Sequence, residues 1–321
     1  MLEARQVRKV FPAGRSGQPI CAVDGVSLAL QPGEVLALVG ESGCGKSTLA
    51  LTLAGLAPAS GGQVLFEGED IAGFDRARLK ALRRRIQMVF QDPYESLNPT
   101  MSVGQLVAEP LQVHGLAPDR LERATWVARV LEAVGLTPAA DFMDRRPHQL
   151  SGGQRQRVAI ASALVLEPVL LVADEPVSML DASIRAGILN LLIGLRRQRG
   201  IGVLFITHDL AAAAYLADRV AVMYLGRIVE EGPTQAVLGT PRHPYTRALL
   251  EALPVANPRR RRPRAFLHGE TPNPVQVPPG CRFHPRCPVA VGPCAQRDPS
   301  LASVALGHQA ACLLLEQLVA Q

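Results

Sequence analysis

The residues from Glu34 to Leu56 constrain the fold of this chain more than any other part of its sequence. An apolar run ends at Gly40, the segment GESGCGKS follows, and the stretch from Leu49 onward has the composition of a buried helix. This order of strand, glycine-rich loop and helix is the context that a phosphate-binding loop requires. The glycines let backbone N–H groups turn towards phosphate oxygens, and the helix adds its positive N-terminal end. We therefore predict a nucleoside triphosphate site.

Each residue type in this loop has its own task in phosphate binding. Lys46 is placed to reach the β- and γ-phosphates, and the hydroxyl of Ser47 is placed to bind Mg²⁺. Small side chains such as Cys44 are tolerated because the backbone does most of the binding. The predicted nucleotide-binding residues are Gly40, Glu41, Ser42, Gly43, Cys44, Gly45, Lys46, Ser47 and Thr48.

Strands alternate with helices along most of the chain. Residues 19–30 and 34–40 read as strands, and Val169–Ala173 and Val203–Thr207 are continuous apolar runs with helical spacing between them over Ile184–Arg199. Such alternation predicts a parallel α/β sheet that is buried on both faces.

The stretch from about residue 98 to residue 157 has a mostly helical pattern. Its segment 121–134 predicts an amphipathic helix whose apolar face contains Leu121, Val127, Val130, Leu131 and Val134. We therefore predict a helical subdomain inserted between two halves of the α/β core.

A second glycine-rich segment, LSGGQ, precedes an apparent helix from Gln154 to Leu166. Ser151, Gly152 and Gly153 supply backbone donors at a helix N-terminus, which suit an anion. A single chain does not need two phosphate-binding segments to hold one triphosphate. The sequence therefore predicts a dimer in which each nucleotide lies between the loop of one subunit and the LSGGQ segment of the other.

Two acidic residues follow the apolar run in VLLVADEP, residues 169–176. Asp174 is placed to hold Mg²⁺, and Glu175 is placed to polarise the attacking water as a general base. Together with the phosphate loop they predict hydrolysis of the nucleotide, with Lys46 as a further catalytic residue.

The phosphate loop, LSGGQ, strand-Asp-Glu and a later His, in this order, resemble the ABC transporter ATPases over about residues 1–250. The resemblance implies a P-loop NTPase (RecA-like) core that binds ATP and Mg²⁺. It implies that Gln91, in VFQDP, contacts Mg²⁺ and water, that Asp181, in SMLDAS, acts across the dimer, and that His208, in FITHD, contacts the γ-phosphate. Phe11 is a candidate for stacking on adenine, and a place in the core is the alternative.

Three longer segments, RRRIQMVFQDPYESLNPTMSV, GRIVEEGPTQAVLGTPRHPYTRALLEALP and PPGCRFHPRCP, resemble the ATPase subunits of oligopeptide, dipeptide and nickel importers. The resemblance implies an ATPase domain over 1–253 and a small irregular C-terminal extension over 254–321. It also implies a homodimer, or a heterodimer with a second ATPase, together with two membrane permeases and, indirectly, an external solute-binding protein.

Peptide uptake is the function that this resemblance implies, with nickel or other small-solute import as an alternative. No apolar stretch is long enough to span a membrane. Attachment to the cytoplasmic face of the membrane is therefore expected to come through the permeases. A nucleic-acid-associated ATPase of the same superfamily is a further alternative. We expect no nucleic-acid partner, because the arginines are scattered apart from the run Arg259–Arg262.

Four of the six cysteines lie late in the chain, at Cys281, Cys287, Cys294 and Cys312. Their spacing does not match the paired C-x2-C of common zinc sites. Four thiolates can hold an iron–sulfur cluster, and some relatives of the resembled family carry a [4Fe-4S] cluster at matching cysteines. Zinc, with His284 or His308 as a further ligand, and free thiols remain alternatives.

Overall fold

The computed structural model describes residues 1–12, 17–252 and 275–315, and every element below lies within these ranges. The strands are β1 (Leu2–Phe11), β2 (Ile20–Leu30), β3 (Val35–Val39), β4 (Gly61–Phe66), β5 (Glu69–Asp70), β6 (Ile86–Val89), β7 (Leu170–Asp174), β8 (Gly202–Thr207), β9 (Arg219–Tyr224), β10 (Arg227–Pro233), β11 (Ala302–Ala305) and β12 (His308–Ala310). The α-helices are α1 (Lys46–Leu53), α2 (Arg76–Arg85), α3 (Pro93–Ser96), α4 (Val103–Val113), α5 (Arg120–Ala133), α6 (Ala140–Met143), α7 (Gly152–Leu164), α8 (Ala182–Arg199), α9 (Leu210–Leu216), α10 (Thr234–Gly239) and α11 (Pro244–Glu251).

The central sheet has the strand order β11-β12-β10-β9-β3-β8-β7-β6. The strands β9, β3, β8, β7 and β6 run parallel to one another. At the other end of the sheet, β10 pairs antiparallel with β9 and β12, and β11 pairs antiparallel with β12. Leu36 and Leu38 of β3 pack into one apolar cluster, and Ala37 and Val39 pack into another. The sheet is thus buried on both faces, which confirms the α/β prediction made from its continuous apolar strands.

Different layers cover the two faces of this sheet. An antiparallel sheet of order β2-β1-β4-β5 and the helix α1 share one apolar cluster. Residues of α7, α8 and α9 share the other cluster, which continues into α4 and α5. The helices α4 to α7 lie between β6 and β7 in the chain, so the inserted segment is helical in the structure. No helix in the described ranges is long and apolar enough to cross a membrane.

The helix α5 differs from its predicted apolar face at one position. Asp119 caps its start by accepting hydrogen bonds from the N–H groups of Leu121 and Glu122. The buried residues of the helix begin only at Val127, and the side chain of Leu121 is 77% exposed. The prediction that Leu121 shares the apolar face is wrong because, at about 100° per residue, its side chain lies on a different side of the helix from Val127 and Val130. On the buried side of the first turn, Arg123 and Ala124 are partly covered.

The C-terminal region is more regular than its composition predicts. The strands β11 and β12 form a hairpin that extends the central sheet, with β12 pairing with β10 through Glu230 and Ala310. Most of the Pro- and Arg-rich segment, including the run Arg259–Arg262 and the predicted domain boundary, lies outside the described residues. Within residues 275–315, Phe283, Cys281 and Cys287 pack into or against the apolar cluster that contains Ala37 and Val39, close to the cleft described next.

Candidate functional site

The phosphate loop connects β3 to α1 and passes very close to neighbouring backbone. A Cβ atom on Gly40 would lie 2.2 Å from the carbonyl oxygen of Met223. Gly45, which precedes α1, has φ 105°, and a Cβ atom there would lie 2.1 Å from the carbonyl oxygen of Ala22. Only glycine fits these two positions, so the loop geometry explains the glycines that the sequence motif contains.

The loop forms one wall of a cleft of about 630 Å³. This volume lies within the range of roughly 300–1,000 Å³ that is usual for small-molecule sites. The lining residues are Ile20, Cys21, Ala22, Glu41, Ser42, Gly43, Cys44, Gly45, Lys46, Ser47, Thr48, Gln91, Glu175, His208, Leu225 and Gly226. The structure therefore brings the predicted loop residues from Glu41 to Thr48 and the side chains of Gln91, Glu175 and His208 to one cleft.

The ammonium group of Lys46 is anchored within the loop. Its Nζ atom donates to the carbonyl oxygens of Gly40 and Glu41, at 2.8 and 2.9 Å. The Lys46 residue is only 5% exposed, although it lines the cleft. Its cation is thus held at the base of the loop, where it can stabilise negative charge on a bound phosphate.

Asp174, at the end of β7, lies behind the cleft and next to Ser47. Burial raises the pKa of the Asp174 carboxyl, while a hydrogen bond with the Ser47 hydroxyl acts in the opposite direction. The Oδ1 atom of Asp174 is buried and has no hydrogen-bond partner among the described residues. A buried carboxylate oxygen without a donor is costly, and a cation would relieve that cost. The pair therefore fits Mg²⁺, which proteins bind through one or two oxygen ligands together with phosphates.

Glu175 is the centre of a small polar group at the cleft. Its Oε2 atom lies 3.1 Å from Nδ1 of His208 and accepts a hydrogen bond of 3.3 Å from Nε2 of Gln91. Glu175 has φ 46°, a left-handed conformation that a non-glycine residue adopts at a cost, and its N–H donates to the carbonyl of Ile206 at 2.9 Å. The conformation is held by the neighbouring strand and directs the carboxylate to a place where a water could be activated.

The LSGGQ segment does not line this cleft. Ser151 caps α7, accepting from the N–H of Gln154 at 3.3 Å, and the Gln154 side chain accepts from the N–H of Ser151 at 3.0 Å. Gly152 follows the cap, and Gly153 packs so closely that a Cβ atom would lie 2.5 Å from a methyl carbon of Ile184. The segment therefore forms a capped helix N-terminus that lies outside the cleft formed by the phosphate loop of the same chain.

Gly40, Asp181 and Phe11 also lie outside the cleft lining. Asp181 is exposed at the start of α8, and its side chain makes no capping hydrogen bond. Phe11 is 43% exposed at the end of β1, where it pairs with Ile20 across the sheet. Ile20 lines the cleft and Phe11 does not, so the place of Phe11 in adenine binding stays a prediction.

The four late cysteines lie in one region of the extension. Burial raises the pKa of the Cys281 thiol to about 11, and Cys294, Cys287 and Cys312 add to this rise through their charges. The N–H of Cys281 donates to the carbonyl of Cys294 at 2.8 Å. Within residues 1–12, 17–252 and 275–315, no three His, Cys, Asp or Glu side chains are close enough to hold a metal ion. The side-chain positions therefore do not support the predicted cluster.

The sequence analysis missed two residues that contact the phosphate loop. The hydroxyl oxygen of Tyr245 accepts a hydrogen bond of 2.9 Å from the N–H of Glu41. The guanidinium group of Arg286 pairs with the Glu41 carboxylate at 2.8 and 3.0 Å. The signal that was available is the acidic residue itself, since a negative charge in a phosphate-binding loop calls for a compensating cation.

The comparisons with known proteins agree with this site. Residues 23–178 match the family model described as ABC transporter, and residues 229–294 match the model described as oligopeptide/dipeptide transporter, C-terminal region. The chain is 48% identical over 317 residues to a probable peptide ABC transporter ATP-binding protein of Sinorhizobium fredii, covering 97% of this chain and 89% of that protein. It is 44% identical over 321 residues to the dipeptide transport ATP-binding protein DppF of Escherichia coli, covering 99% and 95% of the two chains.

Solved structures show the same core. The structure resembles a dimeric ATP-binding cassette in a post-hydrolysis state with ADP and Pi, with a TM-score of 0.66 at 31% identity, over 73% of this chain and 99% of that chain. It also resembles cbiO1 of Clostridium perfringens, part of an ABC transporter complex, with a TM-score of 0.65 at 32% identity, over 74% and 90% of the chains. Relatives that are 44–48% identical span nearly its whole length, and Gln91, Glu175 and His208 meet beside the phosphate loop in one cleft. The chain therefore belongs to the ATP-hydrolysing, ATP-binding subunits of ABC transporters.

Proposed function

We propose that this ATPase powers the uptake of peptides across the cytoplasmic membrane. The observation that carries the proposal is the match of residues 229–294 to the C-terminal region of oligopeptide and dipeptide transporters. That region contains Tyr245 and Arg286, both of which contact the phosphate loop. We further propose that residues 1–253 act as the ATPase domain and residues 254–321 as an extension specific to this kind of importer.

The residues of the cleft have separate roles in the proposed reaction. Glu175 removes a proton from the attacking water, and Gln91 and His208 hold its carboxylate in place. Lys46 neutralises charge on the phosphates. When bound, Mg²⁺ supplies further neutralisation of the β- and γ-phosphate oxygens, and Ser47 and Asp174 are the residues that would hold it.

The proposed working unit is a dimer of ATPases, either two copies of this chain or a pair with a homologous ATPase. Ser151, Gly152, Gly153, Gln154 and Asp181 would then contact the nucleotide held by the partner. Two facts support this arrangement: the LSGGQ segment lies outside the cleft of its own chain, and a structural neighbour was solved as a dimer. Two permeases would place the dimer at the cytoplasmic face of the membrane, with an external binding protein delivering the peptide.

An uptake assay tests the proposed cargo. A strain that lacks this gene is complemented with the wild-type chain or with Glu175→Gln, and the uptake of a labelled dipeptide, a labelled pentapeptide and radioactive nickel is measured. We expect the wild-type chain, and not the variant, to restore uptake of at least one peptide. Restoration of nickel uptake without peptide uptake would contradict the proposal.

A [4Fe-4S] cluster at Cys281, Cys287, Cys294 and Cys312 remains a proposal of its own. Its support is the resemblance of these cysteines to those of cluster-bearing relatives, together with the hydrogen bond of 2.8 Å that the N–H of Cys281 donates to the carbonyl of Cys294. Iron and zinc analysis and the visible absorbance of anaerobically purified protein test it. Zinc without iron, or neither metal, would rule out the cluster.

A further inference from the structure

An acidic residue is an unexpected component of a phosphate-binding loop. Glu41 follows the first glycine of the motif and lines the nucleotide cleft. A carboxylate there repels the negative charge of a triphosphate. The loop must therefore compensate for Glu41 or bind nucleotide less tightly than its other residues allow.

The side chain of Glu41 is compensated by the C-terminal extension. The two terminal nitrogens of Arg286 donate to the two carboxylate oxygens, at 2.8 and 3.0 Å, in the bidentate geometry of a strong charge pair. Arg286 is only 6% exposed, and one of its nitrogens also lies 3.4 Å from the hydroxyl of Tyr224. The hydrogen bonds to Glu41 raise the pKa of the guanidinium group, which therefore stays charged.

The backbone of Glu41 is held by the same region. The N–H of Glu41 donates to the hydroxyl oxygen of Tyr245, which is fully buried. The Tyr245 ring packs on Tyr224 and Phe283, with centroid distances of 4.7 and 5.4 Å. The ion pair thus lies against an aromatic wall that shields Arg286 from solvent, where electrostatic interactions are stronger than at an open surface. We call Glu41, Tyr245 and Arg286 the Glu41 clamp.

A second contact of the extension reaches the cleft beside the clamp. Arg282 donates to the carbonyl of Leu225, a cleft residue, and to the carboxylate of Asp24. Arg282 and Arg286 are both close in sequence to Phe283. One short segment of the extension therefore holds two sides of the nucleotide cleft.

We propose that Arg286 is a positioning residue of the nucleotide site, which neutralises Glu41 and so sets the affinity of the loop for the triphosphate. The extension then acts on ATP binding through charge as well as through packing. This inference rests on ATP binding at the loop and not on the identity of the cargo. A charge role of Arg286 can be distinguished from a purely structural role. Loss of the charge should affect ligands more strongly the more phosphates they carry, whereas loss of packing should affect all ligands alike.

Arg286→Gln in the full chain tests the charge role. We expect the Kd for ATP to rise on the order of tenfold, with a smaller rise for ADP and an unchanged Kd for adenosine, because the loss of the Arg286 charge leaves the Glu41 carboxylate more repulsive to phosphates. The difference in ATP affinity should shrink as salt is raised. Arg247→Gln is the matched control, since Arg247 is an exposed arginine of α11 that bonds to the carbonyl of Pro241.

A compensating variant makes the test decisive. Glu41→Gln combined with Arg286→Gln removes both charges, and we expect its ATP affinity to return to within about threefold of the wild type. Glu41→Gln alone should bind ATP about threefold more tightly, because Arg286 is then uncompensated beside the phosphates. This single variant keeps the inference testable if Arg286→Gln does not fold.

The results of these experiments test the charge role of Arg286 separately from the proposed import function. Equal loss of ATP and adenosine binding in Arg286→Gln, or no recovery in the double variant, would overturn the charge role and leave a packing role. A wild-type chain that binds ATP but imports no peptide would contradict the proposed function while leaving the clamp result intact.

Discussion

The Oε2 atom of Glu175 lies 3.1 Å from the Nδ1 atom of His208, and the two residues come from the ends of different strands, β7 and β8. Parallel strands in one sheet deliver their carboxyl ends to the same edge, so a residue just after each strand meets its neighbour there. The glutamate carboxylate is mostly shielded, whereas the His208 side chain is 58% exposed at the cleft. The pairing fits a partly shielded base that is oriented by a residue able also to reach the ligand.

Glu175→Gln should bind ATP and lose hydrolysis. The amide keeps the shape of the side chain but cannot accept a proton, so we expect kcat to fall by at least roughly 100-fold. Direct titration should give a Kd for ATP close to that of the wild type, and size-exclusion chromatography with ATP should show a stable dimer. Glu122→Gln, at an exposed site in α5, is the control. Near-normal turnover in Glu175→Gln would contradict the role of the base.

Ser151→Ala and Ser102→Ala form a matched pair. Both serines cap a helix within a capping box, with Gln154 and Gln105 as the partners. Each substitution should cost about 1 kcal/mol of stability for the lost cap. We expect only Ser151→Ala to weaken ATP-dependent dimerisation and hydrolysis, because only that helix start is proposed to contact the nucleotide of the partner. Equal ATPase activity in the two variants would argue against the proposed dimer.

Asp174→Asn should raise stability while abolishing the response to Mg²⁺. Burial raises the pKa of Asp174 above its ordinary value of 3.8, so the folded state retains the proton to a higher pH than the unfolded chain. Stability is therefore lost as the pH rises from 3.8 through the raised pKa, and the cost is fully present at neutral pH.

Asp174→Asn has no carboxylate to ionise, so the variant lacks this destabilisation at neutral pH. At pH 7 we expect it to be more stable than the wild type without nucleotide, with the difference in the free energy of unfolding vanishing at acidic pH. Adding Mg²⁺ to ATP should raise the Tm of the wild type but not of the variant. Thermal unfolding at several pH values measures both effects, and an equal response to Mg²⁺ would remove Asp174 from the metal site.

Glu230→Gln should destabilise the C-terminal region. The fully buried carboxylate accepts from the N–H groups of Arg242 and His243, at 2.7 and 2.9 Å, and lies 2.7 Å from Nε2 of His308. The amide replaces one acceptor oxygen with a donor that faces other donors, which should cost about 2–4 kcal/mol. Denaturant unfolding measures the loss, with Glu132→Gln on the exposed side of α5 as the control. A loss below that of the control would contradict this role of Glu230.

The phosphate loop, the strand that carries Asp174 and Glu175, and the helix that begins after Ser151 were all predictable because they are local. Each depends on a run of apolar residues followed by glycine, serine or a carboxylate, and the backbone of a few consecutive residues makes the site. Gln91 and His208 came from the resemblance to ABC ATPases, and the structure places both beside Glu175.

Other relationships depended on packing between distant parts of the chain. Arg286 and Glu41 are separated by 245 positions, and all but three of the 34 basic residues are Arg, so composition could not single out the partner of Glu41. The exposure of Leu121, by contrast, follows from the helix period, which places it on a different side of α5 from Val127 and Val130. Local motifs follow from backbone geometry, whereas side-chain pairs across the fold follow from how complete elements pack, and only the tertiary structure decides that.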